Sequence, residues 1–186
     1  DIKELGLIGL GLVEIPRTIG HMTKMTVLHV EENKLSELPK TMGRLASLKQ
    51  IYLQNNRLEK LSGGLGKCSK LETINCEDNQ ITGISKKIAD LENLKYLLLA
   101  NNNLKDLSGL QEKLASRGLR RMTLRGNKLD ASLMKLDTDV QEEMKKSGAS
   151  KISVGGVTES KGDDDFAQKM GNLGGIQEGD EEEEDD

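Results

Sequence analysis

Aromatic side chains are almost missing from this chain of 186 residues: it has no tryptophan, and Tyr52, Tyr96 and Phe166 are its only rings of that kind. A core built from it must be aliphatic. It also lacks the flat platforms on which nucleic-acid bases stack, so nucleic acid is not an expected partner. Proline and cysteine are scarce, two of each. There is no run of eighteen apolar residues, no cleavable signal pattern and no Asn-x-Ser/Thr sequon. With Cys68 and Cys76 the only thiols, these absences predict a reducing compartment, the cytoplasm or else the nucleus, and no membrane insertion.

What is abundant is charge, unevenly placed. Residues 149–186 hold 12 acidic and three basic residues, a net of −9, so residues 1–148 carry +5 against the chain's total of −4. The two parts are different objects.

The first part is periodic. Leu28, Ile51, Ile74 and Leu97 fall 23 residues apart, with Leu5 one period earlier and Met122 a step of 25 later. Around them lie LKQIYLQNNRL (48–58), LETINCEDNQI (71–81) and LKYLLLANNNL (94–104), each matching L-x-x-L-x-L-x-x-N-x-L, the leucine-rich-repeat pattern. Six repeats fit. The Asn column is Asn33, Asn56, Asn79, Asn102 and Asn127, expected to satisfy backbone groups at the bend leaving each strand. The first repeat has Leu10 in that place.

The second halves, IPRTIGHMTKM, LPKTMGRLASL, LSGGLGKCSKL and ISKKIADLENL, space apolar residues as a short helix or 3-10 turn behind a Pro or Ser suited to a helix start. The fold class expected is therefore α/β: a leucine-rich-repeat solenoid with a curved parallel sheet on its concave face, short helices on its convex face and a C-terminal cap helix. The form L-P-x-x-I-G-x-L-x-x-L resembles the 23-residue class of intracellular repeats found in Ras-associated proteins, Ras suppressors and the plant intracellular Ras-group family. That resemblance covers residues 2–129. It implies a scaffold or regulatory part of an intracellular signalling protein.

The domain reading follows. Residues 1–129 are repeats, and further repeats are expected upstream because the first is in register by Ile2 with no polar cap. Residues 130–148 form the cap, with Leu133, Leu136, Val140 and Met144 at helical spacing. Residues 149–186 are an acidic tail too poor in apolar residues to repay its ordering entropy, and so disordered.

Strand side chains alternate, so the positions between the leucines face outward. The expected partner-binding residues on that face are His29, Glu31, Glu32, Tyr52, Gln54, Asn55, Asn75, Glu77, Asp78, Tyr96, Leu98, Asn101, Arg121 and Arg125. Glu31, Glu32, Glu77 and Asp78 make an acidic zone, and Arg120, Arg121 and Arg125 a basic end. Exposed Tyr52, Tyr96 and Leu98 between them suit an interface anchor. The tail is also a candidate to fold back on Arg117, Arg120, Arg121 and Arg125.

No chemistry for catalysis is visible. His29 is read as a lone exposed histidine, and neither it nor His21 has a second ligand at metal spacing. GGLGKCS (63–69) lacks the first glycine and the Ser/Thr of a phosphate loop, and the recurring acids are surface columns with nothing to enclose a substrate. Cys68 and Cys76 occupy apolar slots. The expectation is a non-enzymatic protein–protein interaction module with no cofactor, no metal and no small-molecule substrate. One alternative is an acidic-tailed protein binding basic partners such as histones. Another is the recognition arm of an enzyme whose catalytic domain lies elsewhere.

Overall fold

The computed structural model describes residues 2–107, 109–129 and 152–153, all within the compact unit Asp1–Gly155. Each repeat gives one three-residue strand: β1 (Glu4–Gly6), β2 (Val27–His29), β3 (Gln50–Tyr52), β5 (Thr73–Asn75), β7 (Tyr96–Leu98) and β8 (Arg121–Thr123). Two shorter strands, β4 (Lys60–Leu61) and β6 (Gly83–Ile84), pair with each other in a second, two-stranded sheet. With β9 (Ile152–Ser153), the described residues form a seven-stranded parallel sheet in the order β1-β2-β3-β5-β7-β8-β9.

The 23-residue register of the sequence is the hydrogen-bonded register. Leu5, Leu28, Ile51, Ile74, Leu97 and Met122 are successive partners across the sheet. From Leu28 onward this row has no exposure at all, and Leu53, Cys76 and Leu99 beside it have none either. Burying each such aliphatic side chain stabilises the fold by roughly 1.5–3 kcal/mol, which makes the row the reason for the repeat.

Behind each strand the chain returns along the outer side, through 3-10 helices at Arg17–His21, Lys40–Arg44, Leu65–Lys67 and Lys86–Asp90 and the α-helix α1 (Leu110–Ala115). Pro16 and Pro39 precede the first two with φ of −58° and −64°, the value their rings fix. Where Ser85 stands instead, its hydroxyl accepts from the Lys87 amide at 3.4 Å. Ile19, Met42, Leu65 and Ile88 turn inward from these helices. The residue after each is Gly20, Gly43, Gly66 and Ala89. A Cβ at Gly20 would meet the Thr41 carbonyl at 2.7 Å and one at Gly43 the Gly64 carbonyl at 2.8 Å, so successive outer segments pack backbone against backbone.

The asparagines tie each repeat to the one before it. Asn56 Oδ1 accepts from the Leu35 amide at 3.0 Å, while its Nδ2 donates to the carbonyls of Val30 at 2.8 Å and Leu53 at 3.1 Å. Asn33, Asn79, Asn102 and Asn127 repeat this arrangement.

The expected cap helix over 130–148 lies outside the described residues, as does the tail apart from Ile152 and Ser153. These two residues pair with Met122 and Thr123. The sheet therefore reaches past residue 149, where the tail is expected to begin, because an open β8 edge offers backbone groups for a further segment to pair.

Candidate protein-binding face

Two columns of side chains stand on the open face of the sheet. One is Val27, Gln50, Thr73, Tyr96 and Arg121; the other is His29, Tyr52, Asn75, Leu98 and Thr123. The columns fall where alternation predicts, but their exposure does not. His29 is 7% exposed, Tyr52 4% and Leu98 6%, with Asn75 and Thr123 also buried. Side chains in a parallel in-register column lie about 4.8 Å from their neighbours and shield one another on both sides. The expectation of exposed Tyr52 and Leu98 anchors is therefore corrected. Gln50, Gln54, Glu77, Tyr96 and Arg121 are half-buried, while Arg125 is exposed.

His29 needs the larger correction, since it is neither lone nor exposed. Its Nδ1 lies 2.8 Å from Glu31 Oε1, and Nε2 lies 3.6 Å from Glu4 Oε1. Its ring stacks on that of Tyr52 with centroids 4.6 Å apart and planes 6° from parallel. The hydrogen bond to Glu31 raises the His29 pKa, desolvation opposes this, and the charges of Glu31 and Glu4 add to the rise. Burial raises the Tyr52 pKa, and the same two carboxylates push it further. The sequence reading missed Glu4. It sits 25 residues before His29, near the 23-residue spacing of adjacent strands, and that near-match was the available signal.

The acidic zone divides into different tasks. Glu77 Oε1 accepts from the Thr123 hydroxyl at 2.8 Å, reaching two repeats along the face past Ala100. Asp78 Oδ1 accepts from the Asn101 amide at 2.8 Å. Glu32, Asn55, Asp78 and Asn101 share a second property: each has φ between 54° and 57°, in the left-handed region. Gly9 and Gly126 hold the same place in the first and last repeats, with φ of 67° and 70°. These residues belong to a backbone turn repeated along the sheet, and asparagine, aspartate and glycine are the types that tolerate it. Glycine at both ends of the column was the sequence signal for it.

At the other end, Arg121 lies in β8 beside Tyr96, and Arg125 follows just after the strand. Arg117 is not part of this group. Its guanidinium donates to the Asp90 carbonyl at 3.1 Å, on the outer side where Lys113 and Asp90 pair at 2.7 Å. From β2 to β8 is four strand steps, about 19 Å, so the His29 cluster and the arginines cannot act on one small ligand.

The thiols are free and inward. Burial pushes the Cys68 pKa up to about 11 and raises that of Cys76 further, keeping both protonated and poor as nucleophiles. Among the described residues no group of three or more His, Cys, Asp or Glu side chains is placed to hold a metal, and no helix is long and apolar enough to cross a membrane.

A sheet of single short strands, an asparagine tie at each bend and an outer layer of 3-10 turns define a leucine-rich-repeat solenoid. Residues 47–104 match the family model described as leucine rich repeat. Among solved structures, the chain is similar to a leucine-rich-repeat protein of Leptospira interrogans at 27% identity and a TM-score of 0.55, covering 74% of this chain and 41% of that one. It is also similar to an internalin from Listeria monocytogenes at 19% identity and a TM-score of 0.57, covering 78% and 39%; at that identity the likeness is one of fold. The chain thus spans about two fifths of each. No curated protein sequence matches it. The described residues thus have the fold of a leucine-rich-repeat solenoid, and residues 47–104 match the family model.

Proposed function

We propose that this chain is a non-enzymatic protein-binding module that engages a folded partner through the open face of its sheet, as a scaffold or regulatory part of an intracellular signalling protein. Leucine-rich repeats generally serve as protein-interaction modules, which supports the coarse form of this reading. The observation that carries it here is charge separation on one face: His29, Glu4 and Glu31 lie at one end, Arg121 and Arg125 at the other, with half-buried Gln50 and Tyr96 between. Such a face suits a partner polarised in the opposite sense. Placement in the 23-residue Ras-associated class rests on the L-P-x-x-I-G form, in which Pro39 and Gly43 have the packing reasons given above. A reducing compartment rests on composition.

The test is affinity purification with the intact chain and a Tyr96→Ala, Arg121→Glu, Arg125→Glu variant shown to melt cooperatively. Loss of a specific protein from the variant alone supports the face. If the variant retains every partner while deletion of residues 149–186 loses basic ones, binding belongs to the acidic tail.

A further inference from the structure

The acidic end of the face holds two acceptors without donors. Glu31 is 8% exposed, and only its Oε1 is used, by His29; Oε2 is buried with no hydrogen-bond partner. One strand along, in the same column, Gln54 Oε1 is likewise buried and unpartnered. An unmade hydrogen bond at a buried acceptor is unfavourable, the more so where the group is charged. Two together, just beyond neighbouring strands on one face, ask for a donor from outside.

The local charge names its sign. Even with a proton on both nitrogens of His29, that residue balances only one of Glu31 and Glu4, and Glu32 follows directly in the chain. A neutral amide could satisfy Gln54 but would leave the carboxylate charge uncompensated. A lysine ammonium would supply charge as a compact, strongly hydrated point. A guanidinium presents diverging N–H groups in one plane, is more weakly hydrated, and can reach two acceptors set a strand apart.

We propose that Glu31 and Gln54 form the anchor site for a single arginine side chain of the partner, with the guanidinium donating to Glu31 Oε2 and Gln54 Oε1. This rests on the reading of the open face as the binding surface and adds to it the chemistry of the partner. The stack of His29 on Tyr52 holds the imidazole in place, and the imidazole in turn fixes the Glu31 carboxylate through Oε1, leaving Oε2 unpaired.

The probes are blocked single residues, N-acetyl methylamides of arginine, of its neutral isostere citrulline and of lysine, titrated into the full chain and followed by residue-resolved NMR. Arginine is expected to bind in the millimolar range, as a single contact should, moving the Gln54 side-chain amide and the Glu31 and His29 backbone signals. Glu31→Gln should weaken it about tenfold, as expected for the loss of a charge-assisted bond, and Gln54→Ala about threefold. Gln54→Ala keeps the test open should Glu31→Gln disturb the fold. Equal response to citrulline, shifts confined to residues 149–186, or unchanged affinity in both variants overturns the proposal. Equal response to lysine overturns the assignment to arginine. Because no partner protein is used, a failed titration alongside a Tyr96, Arg121, Arg125 variant that still loses its partner removes the anchor and leaves the binding face standing.

Discussion

The first and third repeats have the same length and the same strand register, yet they are held in different ways. In the third, Leu48, Ile51, Leu53, Leu58 and Leu65 have no exposure. In the first, Leu5, Leu7 and Leu12 are half-buried, and Ile8, Leu10 and Val13 are exposed at 38%, 62% and 65%. The third repeat receives bonds from Asn79 and gives its own through Asn56. The first receives from Asn33, which accepts from Leu12 and donates to Leu7, but has Leu10 in place of an asparagine to give. Each asparagine therefore braces the repeat before it, and stability in such an array is a sum of neighbour terms.

The largest effect should come from breaking that tie in the middle. Asn79→Ala strands the Leu58 amide inside the protein and takes one of two asparagine donors from each of the Leu53 and Cys76 carbonyls, which keep those of Asn56 and Asn102. A loss of about 2 kcal/mol is expected from one buried amide left unsatisfied and two carbonyls less well bonded, read as a lower urea midpoint. Asn33→Ala should cost the whole chain less and instead release the Leu12 amide to hydrogen exchange, while the Leu7 amide keeps its bond to the His29 carbonyl. Equal midpoints for the two variants would contradict the directional picture. Next in size is Gly66→Ala, whose Cβ would press on the Lys87 carbonyl of the following repeat. Overpacking against backbone costs about 1–3 kcal/mol. Gly6→Ala meets nothing within 4 Å and should be neutral or slightly stabilising.

Much of this frame was legible because burial acts on residue type with a fixed period. The apolar row and the asparagines recur every 23 residues, with one last step of 25, since each must meet the same backbone environment. The open face obeys no such constraint. Nothing in its composition required Tyr52 to stack on His29 or Glu4 to reach it, because those contacts depend on how side chains lean between strands. The turn column was legible in principle, since Gly9 and Gly126 mark it, but Glu32 masks it by being a poor residue for that conformation.

Glu32 gives the third expectation. With φ at 57° it bears a conformation that asparagine tolerates better. Glu32→Asn should stabilise by about 0.5–1 kcal/mol, measured as a raised urea midpoint. The reverse change at the matching position, Asn55→Glu, should lose a similar amount. Failure of either would detach the shared backbone angle from its cost.

The smallest effect is a pH dependence at the junction of the first two repeats. His29 in β2 meets Glu4 in β1 and Glu31 just beyond its own strand, and its folded pKa is raised chiefly by the Glu31 hydrogen bond, with desolvation opposing. A group whose pKa rises on folding binds its proton more tightly when folded. The stabilisation is therefore complete below the unfolded value of 6.5 and is lost as pH climbs through the folded value above it. Glu4 is largely exposed, so water screens its share and most of the effect belongs to Glu31. Urea midpoints should fall as pH rises from 6.5 through the raised folded value, a window above the ordinary carboxylate range. The fall should vanish in His29→Gln, shrink strongly in Glu31→Gln and shrink only slightly in Glu4→Gln. Hydrogen exchange places the effect in the chain: the β1–β2 amides should lose protection across that window while those of β3 and β5 keep theirs. A slope that survives in His29→Gln would assign the titration to another group.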